Sequence, residues 1–173
     1  MNQSRRRMAR LASALPIIVA LSLGTSASWA QQKSLKSQLA GAWMLVSQEV
    51  TPKDGAKRPG TGGPNVKGIL ILDASGHYAF VAGAPDRPKL KTTVRRDIPA
   101  AELGEATRTF AANYGTWSVE GDKTLIRKFQ LAVIPNNDNQ EVKYTVSLAK
   151  GELKLVQVTA AGATVETVYR RAK

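Results

Sequence analysis

The 173-residue chain is 43% hydrophobic and 22% charged, and its 25 basic and 13 acidic residues give a net charge of +12. The absence of cysteine excludes disulfides, a thiolate nucleophile and a lipid-modified cysteine. The single histidine, His77, argues against a zinc site and a Ser-His-Asp triad. We therefore expect no metal, no cofactor and no catalytic residue.

The first predicted element is an export signal at residues 1–30. Arginines near the start precede an apolar run over residues 11–23, and Ser28 and Ala30 are small residues of the kind a signal peptidase recognises. The pattern predicts cleavage after Ala30 and favours the general secretory route over twin-arginine export. The apolar run is too short for a bilayer-spanning helix, so we expect a periplasmic or secreted protein with no transmembrane span after processing.

Residues 31–173 have the length of one domain with a single core. Their net charge is still +8, because only four of the basic residues lie in the leader. This charge favours an anionic envelope surface, such as lipid headgroups, as a possible partner, and export argues against a nucleic-acid role. The alternative is that the lysines only keep an exported protein soluble.

Short strands separated by turn residues predict an antiparallel sheet. The first strand covers residues 43–51 and leads into a loop rich in proline and glycine. A hairpin of residues 68–73 and 77–82 follows, in which Gly76 can adopt the positive φ of a tight turn. Apolar residues at three- and four-residue spacing predict one helix over residues 99–113, which should flank or cap the sheet.

The rest of the chain predicts five more strands, at residues 115–119, 125–133, 141–149, 152–159 and 164–171. The connections are short enough for hairpins, so consecutive strands should be neighbours in the sheet. The prediction is an all-β fold, an eight-stranded antiparallel up-and-down meander that can close into a barrel. The interior of such a barrel either holds one small ligand or is filled by side chains.

Several short motifs resemble a bacterial lipocalin-like domain family. In chain order they are Gly41-x-Trp43-x-Leu45-Val46-Ser47, Gly68-x-Leu70-Ile71, Gly76-His77, Pro85-Asp86-Arg87-Pro88 and Tyr114-Gly115-Thr116-Trp117. The resemblance extends from about Leu39 to Arg171 and implies a lipocalin-like barrel with no defined activity. An indole at Trp43 can plug the closed end of such a barrel, with an arginine of the last strand stacked on it. The sequence does not say whether Arg170 or Arg171 takes this position, because the two point to opposite faces.

Alternation along the strands selects candidate residues for a site inside the barrel. Arg127 shares its predicted inner face with Phe129 and Leu131. If Trp43 points inwards, Glu49 does too, and it would then form a buried pair or a ligand contact near Arg127. The predicted ligand-binding residues are Glu49, Tyr78, Phe80, Arg87, Trp117, Arg127, Phe129 and Tyr144.

These residues favour an exported protein that binds or carries a small, mostly apolar or amphipathic molecule in the barrel. One alternative is an isomerase or cyclase that uses Glu49, Tyr78, Arg127 or Tyr144 on such a molecule. Another is an accessory protein that docks on anionic envelope surfaces through its lysines. Nothing in the sequence decides whether the interior is open or filled.

Overall fold

The computed structural model describes residues 34–173, which belong to one compact unit, and the predicted export signal lies outside the described residues. The helices are α1 (Leu35–Leu39) and α2 (Ala100–Arg108), with single 3-10 turns at Arg95–Asp97 and Pro135–Asn137. The strands are β1 (Gly41–Thr51), β2 (Arg58–Pro59), β3 (Lys67–Leu72), β4 (His77–Gly83), β5 (Phe110–Glu120), β6 (Thr124–Ala132), β7 (Glu141–Ala149), β8 (Glu152–Val158) and β9 (Thr164–Arg171).

Eight of these strands form a closed antiparallel barrel. Each strand from β3 to β8 pairs with the next one in the sequence, and β1 pairs with both β3 and β9, so the barrel has no open seam. The two residues of β2 form an additional pairing with Glu49 and Val50 of β1. The structure confirms the predicted eight-stranded barrel and adds this short ninth strand and helix α1.

The predicted helix over residues 99–113 is wrong after Arg108. The helix α2 ends at Arg108, and β5 begins at Phe110 and pairs along the whole of β4. A helix reaching residue 113 would leave half of β4 with unpaired backbone groups, so strand pairing overrides the local helical spacing. Gly115 permits the close approach of β6, because a Cβ atom there would collide with the carbonyl oxygen of Lys128.

Two β-bulges shift the inward-facing positions by one residue. Between β1 and β9 the extra residue is Val46, so Glu49 faces outwards although Trp43 faces inwards. Between β5 and β6 it is Gln130, so Leu131 is 54% exposed although Phe129 is buried. The predicted inward orientations of Glu49 and Leu131 are therefore wrong.

One end of the barrel is sealed by α1 and Trp43. The Trp43 indole is fully buried and donates a hydrogen bond to the carbonyl oxygen of Leu39 at 2.8 Å. Arg171 stacks on the same ring, with its guanidinium carbon 4.1 Å from the ring centre, and donates hydrogen bonds to the carbonyl oxygens of Ala40 and Gln38. The stacked arginine is Arg171, while Arg170 is exposed on the outer surface.

Within residues 34–173, no helix is long and apolar enough to cross a bilayer. The same residues contain no group of three histidine, aspartate or glutamate side chains arranged as metal ligands.

Candidate functional site

The centre of the candidate site is Arg127, which points into the barrel from the middle of β6. It is 6% exposed and lies between Trp117 of β5 and Val142 of β7 in the sheet register. Four aromatic rings surround its guanidinium group. The distances from the guanidinium carbon to the ring centres are 4.3 Å for Tyr144, 5.1 Å for Tyr78, 5.6 Å for Phe80 and 5.8 Å for Phe129.

Only part of the hydrogen-bonding capacity of Arg127 is used. Its Nη2 donates to the hydroxyl of Tyr144, whereas its Nε and Nη1 are buried without a partner. The buried hydroxyl of Tyr78 has no partner either. Among the described residues no carboxylate lies within ion-pair distance of Arg127. The barrel therefore contains a buried, partly unsatisfied cation.

The surrounding groups keep this cation charged. Burial opposes the charge, but the phenol groups of Tyr144, Tyr169 and Tyr78 outweigh that effect and raise the pKa of Arg127 above its usual value. Burial also raises the pKa of Tyr78, an effect larger than the opposite one of the Arg127 cation, and it raises the pKa of Tyr169 in the same way. At neutral pH the site thus combines one positive charge with the neutral phenols of Tyr78 and Tyr169.

Five of the eight predicted site residues form this cluster, and three do not. Glu49 lies on the outer surface and forms an ion pair with Lys57 at 2.5 Å. Arg87 lies against the ring of Phe110, 4.9 Å from its centre. Trp117 is the register neighbour of Arg127, but its indole donates to the carbonyl oxygen of Asp73 at 2.8 Å, towards the sealed end. The cluster therefore consists of Arg127, Tyr78, Phe80, Phe129 and Tyr144.

Two residues near the cluster were missed by the sequence analysis. Asn113 pairs with Phe80 across β4 and β5, and its side-chain oxygen is buried without a partner. Placing Asn113 in a helix hid this position. Tyr169 is 2% exposed and contributes to the electrostatics of Arg127. Strict alternation back from Arg171 would have pointed to it.

The five side chains of the cluster are closely packed, whereas the inward-facing side chains furthest from the sealed end are less buried. Five cavities of about 390 to 550 Å³ in the described chain do not reach Arg127, and Phe80 is the one cluster residue that lines any of these five. Towards the other end, inward-facing side chains are half-buried and several are small: Val50, Ala111, Asn113, Ala132, Val142, Gln157 and Val165. We call this end the open end.

His77 lies outside the barrel interior, beside an exposed turn. Its Nδ1 is 3.0 Å from the hydroxyl of Ser75, and that hydroxyl also donates to the carboxylate of Asp73. The carboxylate therefore holds the serine rather than the histidine, which is not the order of a catalytic triad.

Comparison with known proteins gives a family for the chain. A family model described as a lipocalin-like domain matches residues 40–169. No curated protein matches the chain.

Among solved structures, a redesigned beta barrel is 13% identical, with 82% of this chain and 98% of that chain covered and a TM-score of 0.43. The redesigned barrel mFAP1, bound to DFHBI, is 14% identical, with 80% and 100% covered and a TM-score of 0.41. A point mutant of the fluorescent protein UnaG is 14% identical, with 79% and 97% covered and a TM-score of 0.37. The match to the family model covers nearly the whole barrel, from the start of β1 into β9.

Proposed function

Because the chain belongs to the lipocalin-like domain family, we propose that its barrel binds a small molecule with an anionic group and a mostly apolar body. The observation that carries this proposal is Arg127, a buried cation with two unpaired nitrogens and no carboxylate partner among residues 34–173. The predicted leader supports a place of action outside the cytoplasm, so the ligand is one that occurs in the periplasm or the medium.

The energetics of Arg127 favour a bound anion. Burying an unpaired charge costs several kcal/mol, and the four ring contacts, at about 0.5–2 kcal/mol each, offset much of that but give Nε and Nη1 no hydrogen-bond partner. A carboxylate or similar oxyanion would accept a hydrogen bond from Nε or from Nη1, which point from different edges of the guanidinium, and it would bring an opposite charge to that group. The hydroxyl of Tyr78, which also lacks a partner, can donate to the same anion.

The apolar body of the ligand would extend from Arg127 towards the open end. The rings of Phe80 and Phe129 lie on this path, followed by Ala132 and Asn113. Four strand residues separate the level of Trp117 from that of Asn113, which corresponds to roughly 13 Å and suits a small molecule. Since the rings close around Arg127, binding requires some of them to change rotamer.

A carrier role is favoured over an isomerase or cyclase. The acid–base group available to such an enzyme was Glu49, which lies outside the barrel in an ion pair with Lys57. Burial raises the pKa of Tyr78 and of Tyr169, which makes these two phenols poor general bases near neutral pH.

The proposal is tested by isothermal titration with two matched probe pairs, decanoate with 1-decanol and 2-naphthoate with 2-naphthalenemethanol. A hydrogen bond to a charged group contributes about 1.5–3 kcal/mol, so we expect each carboxylate to bind at least tenfold more tightly than its alcohol. Arg127→Met should abolish this preference while leaving weak binding of the apolar body.

The matched control is Arg87→Met, which removes another arginine that contacts an aromatic ring but lies outside the cluster. It should leave the preference for carboxylates intact. Equal affinity of acid and alcohol for the wild-type protein, or a preference that survives in Arg127→Met, would contradict the proposed anion site.

A further inference from the structure

One side of the outer barrel surface is apolar. We call it the apolar flank and define it by Met44, Ile71, Val81, Tyr114 and Leu131, which are each 42–54% exposed. These residues lie on five successive strands, β1, β3, β4, β5 and β6, and all face away from the core. Scattered single apolar residues are normal on a protein surface, but a contiguous group indicates a contact surface.

The sheet register shows that the apolar flank is continuous. Ile71 pairs with Ala79, Ala79 with Tyr114, and Tyr114 with Leu131. This row is therefore apolar across four strands, and Val81 lies beside it, two positions along β4. A groove of about 390 Å³ with almost entirely apolar walls lies on this surface between β4, β5 and β6.

The opposite side of the barrel has a different character. The outward side chains of β7 to β9 include Lys143, which pairs with Glu120 at 2.8 Å, and Lys154, which pairs with Glu166 at 2.6 Å. The strands β7 to β9 therefore present a solvated surface with paired charges. The apolar flank is a local feature and not the general composition of the outer surface.

A basic loop adjoins the apolar flank. Residues 84–97 contain five arginines and lysines against two aspartates, and their exposed side chains include Val94. Arg87, Lys89 and Arg95 form no ion pair with other described residues. The loop lies next to the flank, because Val133 lines both the apolar groove and a cavity of about 530 Å³ that Arg87 and Arg95 also line.

We propose that the apolar flank and this basic loop dock the barrel on an anionic lipid bilayer. Apolar side chains would enter the boundary between headgroups and acyl chains, and the unpaired cations of the loop would contact the headgroups.

A second copy of the chain fits the apolar flank less well than a bilayer does. Two apolar rows across five strands span roughly 300–400 Å², about half of what each partner of a stable dimer buries. A basic loop beside the flank would also repel its own copy. The inference uses the outside of the barrel and does not depend on the proposed ligand site.

The test is flotation of residues 31–173 with vesicles of phosphatidylglycerol and phosphatidylcholine at equal amounts, compared with pure phosphatidylcholine. This segment contains the compact unit without the apolar run of residues 11–23, which would bind lipid by itself. We expect binding to the anionic vesicles that weakens at high salt, and little binding to the neutral ones. Each cation near the surface contributes roughly fivefold in affinity, so Lys89→Glu with Arg95→Glu should reduce binding at least tenfold.

Matched controls separate the proposed surface from a general charge effect. Lys123→Glu with Lys173→Glu changes the net charge equally at exposed positions outside the loop and flank, and should change binding less than threefold. Leu131→Ser should weaken binding several-fold, whereas Val158→Ser, which alters a 70% exposed residue away from the flank, should not. Circular dichroism of each variant checks that the barrel is folded.

The alternatives give different results. Failure to bind anionic vesicles overturns the proposal, and so does equal loss of binding in the control and loop variants. Vesicle binding that Leu131→Ser leaves unchanged overturns the role of the apolar flank. A wild-type dimer in light scattering that Leu131→Ser dissociates, without vesicle binding, assigns the flank to a second copy.

Discussion

The sealed end and the middle of this barrel each use an arginine against aromatic rings, but in opposite ways. At the sealed end, Arg171 stacks on Trp43 and donates to two backbone carbonyl oxygens. In the middle, facing the open end, Arg127 is surrounded by four rings, yet two of its nitrogens are unpaired. Arg171 donates its hydrogen bonds to groups within the fold, whereas Arg127 keeps two buried nitrogens without a hydrogen-bond partner. The difference between them lies in the polar atoms that remain without partners.

The largest expected effect comes from breaking the sealed end. Trp43→Ala should lower the free energy of unfolding by about 3–5 kcal/mol, because it removes a fully buried indole and leaves a cavity beside Leu39. Urea unfolding followed by circular dichroism measures this. Tyr114→Ala, which truncates a half-exposed ring on the outer surface, is the control and should cost much less. Similar losses for both variants would mean that Trp43 is not the plug of the barrel.

Replacing each arginine by methionine compares their contributions to the free energy of unfolding. Arg171→Met should lower the free energy of unfolding by about 1–2 kcal/mol, through the lost carbonyl hydrogen bonds and the lost stacking. Arg127→Met should change it by less than about 1 kcal/mol or raise it, since an apolar side chain replaces a buried, unpaired charge. The two unfolding curves in urea give the comparison. A large loss of stability in Arg127→Met would show that the cation serves the core instead of a ligand.

The smallest expected effect is on how the free energy of unfolding depends on pH in the alkaline range. Burial raises the pKa of Tyr78, so its neutral phenol stabilises the folded state below the unfolded pKa of about 10, and this contribution is lost as the pH rises above that value. Tyr78→Phe should therefore unfold with a shallower dependence on pH than the wild type above about pH 10. The free energy of unfolding in urea, measured from pH 9 to 11, gives this slope. Tyr114→Phe removes an exposed phenol and serves as the control, and an unchanged slope in Tyr78→Phe would contradict the assignment.

The strand order of the barrel could be predicted from the sequence because it depends on local features, the short connections and the alternation of apolar residues. Short connections such as residues 73–76 and 150–151 fix which strands pair, and alternation fixes the inner face wherever a strand is regular. On β7, alternation placed Tyr144 and Val146 inside, and both are buried. The family match over residues 40–169 agrees with the resemblance drawn from the motifs.

The site was predictable only up to the β-bulges. Arg127 lies before the bulge on its strand, so alternation placed it correctly inside the barrel. Glu49 lies after the bulge at Val46, and one extra residue reversed its face. Asn113 was hidden for another reason, since its pairing with β4 is a long-range interaction that overrides local helical spacing. Nothing in the spacing of apolar residues signals either effect.

The order of the strands also determines how the barrel is assembled. Every strand from β4 to β9 can pair with the strand just made, but the second edge of β1 must wait for β9, whose partner residues lie 113 to 128 positions further along the chain. Closing so long a loop is entropically expensive and slow, so the β1–β9 seam is expected to form last during folding. Arg171 belongs to that last strand. Synthesis of β9 therefore decides both when the barrel closes and when Arg171 can stack on Trp43.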